Sequence, residues 1–226
     1  MSSRTRPLAV VCVSGGMDSC VTAAIAALDH RLALLHADYG QRTEAKERAC
    51  FEALADHFQA EARLVVDFGS LRAIGGSSLT DRSIPVREGE PEKGVVPSSY
   101  VPFRNAHLLC AATSWAEVIG ATAIFVGAVW EDSSGYPDCR PEFYAAFAAA
   151  HDLGLVRVDQ RGLDADLRVR PGARADRRGV ALRVPFERTG SCYQGESVAC
   201  GRCESCRLRL RGFADAGVDD PIPYRG

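Results

Sequence analysis

Residues 13–22 read VSGGMDSCVT and lie between an apolar run and a stretch rich in alanine. The apolar run, LAVVCV at residues 8–13, predicts a buried strand, and SCVTAAIAALDH after the glycines has the composition of a helix. Two successive glycines allow backbone conformations that other residues avoid, so several N–H groups can point into one concavity. A strand, a glycine turn and a helix in this order predict an anion site at the helix N-terminus.

The polar side chains of this loop favour phosphate as the anion. Ser14 and Ser19 can donate hydroxyl hydrogen bonds, and the helix adds partial positive charge at its N-terminus. A phosphate would repel the carboxylate of Asp18 unless a cation lay between them. The sequence therefore predicts that Asp18 lies beside Mg²⁺. The loop is neither a Walker A motif nor GxGxxG. The alternative is an ordinary glycine turn capped by serine, which the strand-to-helix setting disfavours.

The whole-chain composition narrows the function classes. The 226 residues fit one domain, or one domain with a small appendage, and 46% hydrophobic with 25% charged residues is ordinary for a globular protein. A net charge of −2 gives no basic surplus, so nucleic acid is not a first-choice partner. The N-terminal apolar run is too short for a signal peptide, and no run approaches the roughly 20 residues that cross a bilayer. We therefore expect a cytoplasmic protein without membrane association.

Strands and helices alternate along the chain after the loop. The predicted elements are a strand at 31–38, a helix at 43–58 with Thr43 as its cap, strands at 62–68, 121–129 and 155–158, and a helix at about 105–118. This alternation predicts an α/β fold, a Rossmann-like, mostly parallel sheet with helices on both faces. Ligands bind at the carboxyl ends of the strands in such sheets.

Two connections are therefore candidates for the site. Residues 69–104 form a long connection rich in glycine, serine and proline, which we interpret as a lid. The loop after the strand at 121–129 reads WEDSSGYPDCRPEF and carries two aspartates and a tyrosine.

SGGMDS resembles the pyrophosphatase loop of the N-type ATP pyrophosphatases. The resemblance implies an adenine nucleotide alpha hydrolase-like fold and cleavage of ATP between its α- and β-phosphates. It also implies that the loop cradles the departing pyrophosphate, with Asp18 and Ser19 as catalytic residues and Mg²⁺ bound with ATP. The candidate ATP-binding residues are Ser14, Gly15, Gly16, Met17, Asp18 and Ser19.

Four later segments narrow the resemblance to the QueC family of 7-cyano-7-deazaguanine synthases. The segments are DYGQR (38–42), YVPFRN (100–105), SGYPDCRPEF (134–143) and SCYQGESVACGRCESCRLR (191–209). The resemblance implies conversion of 7-carboxy-7-deazaguanine, ammonia and ATP into the nitrile precursor of queuosine and archaeosine, and it suggests a homodimer. A related enzyme that adenylates another acceptor, such as a tRNA base or a protein carboxylate, is the alternative.

The residue types in these segments suit that chemistry. Arginine is a bidentate fork for a carboxylate or phosphate, and asparagine can pair with an amide or a purine edge. Tyrosines could stack on a planar base, and aspartates could accept from a guanine-like N–H and NH₂ pair. The candidate substrate-binding residues are Tyr39, Arg104, Asn105, Asp132, Tyr136 and Asp138. Arg104 is also a catalytic candidate, whereas His36 could either touch substrate or be a structural histidine.

The chain has nine cysteines and no export signal, so metal binding is a better account than disulfides. Four of them follow a C-x7-C-x2-C-x2-C pattern that predicts a closed, structural zinc site in preference to an iron–sulfur cluster. These ligands are Cys192, Cys200, Cys203 and Cys206. The other five, except Cys139 in the site loop, are interpreted as core thiols.

The predicted organisation is an ATP pyrophosphatase-type domain at 1–185 with a zinc-binding segment at 186–226 packed on it. The arginines near the cysteines, Arg202, Arg207 and Arg209, are interpreted as compensating thiolate charge. A zinc-ribbon-like module that binds nucleic acid is the non-enzymatic alternative.

Two segments depart from the family pattern. Residues 159–179 read DQRGLDADLRVRPGARADRRG, without the Pro-Leu pair and the lysine that the family usually carries there. Half of residues 159–178 are charged, so we expect a mobile excursion. Gly190 stands where the family usually has an aromatic residue. Both departures predict weak activity.

Overall fold

The structure is a computed structural model that describes residues 6–89, 94–128, 135–154, 166–171, 177–194 and 198–225. The strands are β1 (Leu8–Cys12), β2 (Arg31–Asp38), β3 (Ala62–Asp67), β4 (Ala123–Ala128) and β5 (Asp166–Pro171). The helices are α1 (Met17–Ala26), α2 (Glu44–His57), α3 (Gly69–Ile74), α4 (Arg104–Ile119), α5 (Pro141–Gly154), α6 (Arg177–Ala181) and α7 (Glu204–Ala216). Strands and helices alternate as expected.

The five strands form one parallel sheet in the order β3-β2-β1-β4-β5. Val10 in β1 pairs with Ala33 in β2 on one side and with Ile124 in β4 on the other. The chain therefore adds β2 and then β3 on one side of β1, and afterwards returns to add β4 and β5 on the other side. The gap between β1 and β4 is the topological switch point, where open α/β sheets bind their ligands. The prediction of a Rossmann-like fold is confirmed.

Every residue of β1 is buried because helices cover both faces of the sheet. Ala9 and Val11 pack in one core cluster with α1 and α2, whereas Val10 and Cys12 pack in a second cluster with α4. A strand that is buried on both faces has a continuous apolar sequence rather than an alternating one. This burial explains the run LAVVCV.

The predicted boundaries of β2, β3 and α2 agree with the observed ones to within one residue. Thr43 takes the N-cap position of α2, but its side chain makes no capping hydrogen bond. Its hydroxyl instead donates to the carboxylate of Glu47.

The prediction for residues 159–178 is wrong at 166–171. These residues form β5, the edge strand that pairs with β4, with Val169 opposite Val126. The sequence DLRVRP alternates charged and apolar residues, which is the pattern of an edge strand and not of an unstructured excursion. The strand expected at 155–158 lies outside the described residues.

The connection at 69–104 begins with α3 and then packs against the sheet. Leu71, Leu79 and Val101 form a buried cluster with Tyr39. The guanidinium of Arg42 donates to three carbonyl groups of the connection, those of Ser78, Asp81 and Ile84. The described part of this connection is therefore a fixed wall beside the sheet; movement as a lid stays a prediction.

The C-terminal segment shares a core with the sheet. Phe186 and Phe213 pack edge to face, with ring centroids 5.1 Å apart, and both belong to the core cluster of α1. Among the described residues, no helix is both long enough and apolar enough to cross a membrane.

Candidate active site and metal centre

A cavity of about 290 Å³ opens at the carboxyl ends of β1 and β4. The glycine loop, α2, α4 and the C-terminal segment all contribute to its lining. The predicted site residues that line it are Ser14, Gly16, Met17, Asp18, Ser19, Tyr39, Arg104, Asn105 and Tyr136. Segments that are far apart in sequence therefore meet at the switch point.

Hydrogen bonds within the glycine loop hold it in one conformation. The hydroxyl of Ser19 donates to the carbonyl of Gly16 at 2.9 Å and accepts from the backbone N–H of Ser14 at 3.2 Å. Gly16 is the N-cap of α1, and no side chain caps this end of the helix. The first-turn N–H groups of α1 can therefore donate to an anion in the cavity.

Gly15 brings α2 into direct contact with the loop. Its φ is +84°, and a Cβ at this position would lie 2.8 Å from the carbonyl oxygen of Glu47 and 2.9 Å from Cβ of Cys50. Gly15 is thus required both for its backbone conformation and for close packing. Its carbonyl accepts from the N–H of Gly190 at 2.9 Å, which joins the loop to the C-terminal segment.

Tyr39 and Arg104 form one side of the cavity. Nη1 of Arg104 donates to the hydroxyl of Tyr39 at 3.1 Å, and the guanidinium lies 5.5 Å from the centre of the Tyr39 ring. Burial raises the pKa of Tyr39 to about 12, although the nearby Arg104 charge opposes the shift. Tyr39 therefore stays a neutral phenol near neutral pH, and Arg104 presents a positive charge to the cavity.

Tyr136 connects the cavity to the C-terminal helix. Its hydroxyl donates to Oγ of Ser99 at 2.9 Å, and Ser99 contacts Oε2 of Glu204 at 3.3 Å. Burial raises the pKa of Glu204 and also that of Tyr136. This chain of polar groups places an aromatic ring in the wall of the cavity and fixes its orientation.

Asn105 and Asp138 serve mainly to join α4 to the turn at Pro137–Cys139. Oδ2 of Asp138 accepts from the backbone N–H of Asn105 at 2.9 Å, and the Asn105 amide donates to the Asp138 carbonyl at 3.1 Å. Asp138 does not line the cavity, and burial raises its pKa. Substrate binding by Asp138 stays a prediction, and Asp132 lies outside the described residues.

His36 has structural contacts. Its Nδ1 lies 2.8 Å from the carbonyl oxygen of Val13, and its ring stacks on Phe51 with centroids 5.1 Å apart. Nε2 lies 3.2 Å from Oδ1 of Asp38. His36 is buried and is not among the cavity-lining residues, so the structural interpretation holds.

Several cavity residues were not predicted as site residues from the sequence. They are Lys46 and Glu47 from α2, Gly127 from β4, Gly190 and Tyr193 from the C-terminal segment, and Arg211 and Asp215 from α7. Tyr193 and Gly190 lie in or beside a quoted motif, which was a usable signal. The residues of α2 and α7 carried no such signal, because tertiary packing decides which side of a helix lines the cavity.

The four predicted metal ligands converge. Cys192, Cys200, Cys203 and Cys206 are buried, and their sulfur atoms all lie within 4.8 Å of one another. The Sγ atoms of Cys200 and Cys206 are 3.9 Å apart. A tetrahedral zinc ion with bonds of about 2.3 Å separates its sulfur ligands by about 3.8 Å, so the cluster fits zinc.

Backbone N–H groups point at the cluster. Cys203 N–H contacts Sγ of Cys200 at 3.2 Å, and Cys200 N–H contacts Sγ of Cys192 at 3.4 Å. Such donors stabilise thiolate charge around a metal. With all four positions supplied by cysteine, a metal here would be structural.

Two arginines interpreted as partners of the thiolates have other partners. Arg209 is completely buried and makes a bidentate pair with Asp220 at 2.7 and 2.8 Å. Arg202 lies 3.7 Å from Glu88. The interpretation of Arg209 as a counter-charge for the cluster is therefore wrong; it joins α7 to the segments on either side.

The remaining five cysteines divide into four groups. Cys12 and Cys139 line the cavity, Cys20 lies in the core, and Cys50 is half-buried. Burial raises the pKa of Cys12 to about 12, so its thiol stays protonated. Cys110 is exposed, which corrects its interpretation as a core thiol.

We expect the purified chain to hold about one zinc ion per chain, because its four thiols already converge. Cys203→Ser should lose most of this zinc, whereas the matched variant Cys110→Ser, at an exposed cysteine, should retain it. Elemental analysis of reduced, folded samples measures both. A folded wild-type chain without metal would contradict the tetrathiolate site.

The sheet and the site define a class of protein: an α/β protein with a glycine-rich loop at the switch point of a parallel sheet and a four-cysteine cluster beside it. Residues 8–217 match the family described as queuosine biosynthesis protein QueC. The chain belongs to the QueC family.

Three relatives illustrate the similarity, and each is named 7-cyano-7-deazaguanine synthase. The protein of Chlorobium phaeobacteroides (strain BS1) is 52% identical over 217 residues, which cover 96% of each chain. That of Chloroherpeton thalassium is 50% identical over 218 residues, again covering 96% of each chain. That of Acidobacterium capsulatum is 49% identical over 227 residues and covers 97% of each chain.

Proposed function

We propose that the chain is an ATP-dependent ligase that converts 7-carboxy-7-deazaguanine and ammonia into 7-cyano-7-deazaguanine, a precursor of queuosine and archaeosine. The observation that carries the proposal is that the glycine loop lines the same cavity as Tyr39, Arg104 and Tyr136. One part of this cavity suits phosphate and the other suits a planar base that bears a carboxylate. The names of the relatives supply the product, 7-cyano-7-deazaguanine, and the resemblance of the four sequence segments to the family supplies the carboxylated substrate.

The reaction requires two activations of the same carbon. The substrate carboxylate attacks the α-phosphorus of ATP, which forms an acyl adenylate and releases pyrophosphate. Ammonia then displaces AMP and gives the amide. The amide oxygen attacks the α-phosphorus of a second ATP and releases pyrophosphate, and loss of both N–H protons together with AMP leaves the nitrile.

The glycine loop acts on the phosphates. First-turn N–H groups of α1 and the hydroxyl of Ser14 donate to the departing pyrophosphate, where negative charge increases during the reaction. Asp18 lines the same cavity and would hold Mg²⁺ against the phosphate oxygens. Mg²⁺ supplies positive charge that offsets the charge of the pyrophosphate.

The other half of the cavity orients the base. Arg104 binds the carboxylate of the substrate or the α-phosphate, since its guanidinium faces the cavity from the first turn of α4. Tyr39 and Tyr136 hold the planar ring between aromatic surfaces. Leu79 and the wall at 69–104 limit the access of water to the acyl adenylate, which water would otherwise hydrolyse.

The zinc segment stabilises the cavity and takes no part in the chemistry. Cys192 is a predicted metal ligand and also lines the cavity, and Tyr193 follows it directly. We further propose a cytoplasmic homodimer that uses ammonia. Nucleic-acid binding by the cysteine segment is disfavoured because Arg209, one of the three arginines that supported that alternative, is buried against Asp220.

The test is product analysis by mass spectrometry after incubation with MgATP, ammonia and 7-carboxy-7-deazaguanine. We expect the nitrile, with two AMP and two pyrophosphate formed for each molecule. Omission of ammonia should stop nitrile formation. AMP formation that depends on another acceptor and not on the carboxy-deazaguanine would favour a related adenylating enzyme instead.

A further inference from the structure

The basic residues of this chain are almost all arginines. Of 27 lysine and arginine residues, two are lysines, Lys46 and Lys93. Lys46 is the only lysine among the described residues, and it lines the cavity. An ammonium is a compact point charge with three donors, which can approach one phosphate oxygen more closely than a planar guanidinium can.

Lys46 extends beside the glycine loop because Gly190 leaves room for it. A Cβ at residue 190 would lie 2.8 Å from Cε and 3.5 Å from Cδ of Lys46. The Lys46 stem therefore passes directly over the Gly190 backbone. Any side chain at residue 190 would displace this stem.

The same glycine contacts the phosphate loop. The N–H of Gly190 donates to the carbonyl of Gly15 at 2.9 Å, and a Cβ at Gly16 would lie 3.7 Å from the carbonyl oxygen of Gly190. The end of Lys46 is thus separated from the loop by one layer of glycine backbone. Asp18 lines the same cavity as Lys46, so a cationic side chain and a candidate Mg²⁺ ligand share the cavity with the glycine loop.

We propose that the ammonium of Lys46 binds the pyrophosphate part of ATP and stabilises it as it departs. This inference deepens the proposed function and rests on it, since it assigns a further residue to the same loop. Gly190 is then a positioning residue, because the absence of a side chain there lets the Lys46 stem reach the loop. The charge adds to the first-turn donors of α1 and requires no new chemical step.

The first experiment measures binding of magnesium pyrophosphate to the zinc-loaded chain by calorimetry. Lys46→Gln should weaken binding at least about tenfold, because it removes a charge-assisted hydrogen bond. Arg82→Gln, which removes one charge at an exposed site outside the cavity, should bind like wild type. Gly190→Ala should reproduce the loss although it keeps the charge, and the double variant should bind no more weakly than Lys46→Gln alone.

A second measurement needs no substitution, so it is independent of any folding defect. Acylation of side-chain amines can be followed at both lysines by mass spectrometry. Magnesium pyrophosphate should slow acylation of Lys46 at least about fivefold and leave Lys93 unchanged. Equal acylation rates with and without pyrophosphate, or equal affinity of wild type and Lys46→Gln, would overturn the inference.

The outcomes separate this inference from the function on which it rests. If the wild-type chain makes the nitrile and Lys46→Gln makes it equally fast, the inference fails and the function stands. If pyrophosphate protects Lys46 but no nitrile forms, the lysine site stands and the function fails.

Discussion

Replacement of Asp18 by asparagine should lower AMP formation by about three orders of magnitude while leaving the fold intact. Asp18 lies in the first turn of α1 and lines the cavity, where its carboxylate would hold Mg²⁺ against the phosphates. An amide of nearly the same size keeps the shape of the side chain but loses the negative charge. The measurement is the rate of AMP release at saturating MgATP, together with a thermal unfolding curve.

The control for this variant is Asp29→Asn, which neutralises an exposed carboxylate outside the cavity. It should retain the wild-type rate. Mg²⁺-dependent AMP formation by Asp18→Asn at close to the wild-type rate would remove the assignment of Asp18. An unfolded variant would show in the thermal curve and would equally contradict the expectation of an intact fold.

Arg209→Met should lower the free energy of unfolding by about 3–5 kcal/mol, which is the range found when one partner of a buried ion pair is removed. The variant leaves the Asp220 carboxylate buried without its bidentate partner. It also removes donors from Oγ1 of Thr189 at 2.6 Å and from the carbonyl of Phe186 at 3.2 Å. Urea unfolding at constant zinc concentration measures the loss.

Two companion variants test the cause. Arg207→Met alters an exposed arginine on the same helix and should change the free energy of unfolding by no more than about 0.5 kcal/mol. Adding Asp220→Asn to Arg209→Met removes the stranded charge and should restore part of the stability, because the side chain can still accept from Ile222. A loss below about 1 kcal/mol for Arg209→Met would mean that the pair contributes little.

The parts of the structure that follow from local pattern could be predicted. The strand LAVVCV, the glycine turn and α1 follow one another in the sequence. Each has a hydrophobic pattern or a residue type that strongly favours one backbone conformation. The four cysteines were equally visible, since a spacing of two residues brings neighbouring thiols to one ion. Because parallel strands place their carboxyl ends at the same edge of the sheet, the position of the site could be predicted at that edge.

The parts that depend on packing between distant segments could not be predicted. Lys46 was one polar residue among many on α2, and its direction depends on contacts of Gly15 and Gly190 with that helix. Arg209 lies three residues after Cys206, so its sequence position suggested the cluster, whereas its actual partner Asp220 lies beyond the end of α7. β5 was missed because its three charged residues and its last residue, Pro171, outweighed a short alternation.

The cavity wall is assembled from both ends of the sequence, and this determines when during synthesis the site can exist. The glycine loop at 14–19 emerges early, but Gly190, Tyr193 and the residues of α7 that line the same cavity follow about 170 residues later. Domains begin to fold while the ribosome is still translating the rest of the chain. A nascent chain can therefore form the central strands long before the cavity is complete, and any product of premature termination before residue 190 carries the glycine loop without the C-terminal part of the cavity wall.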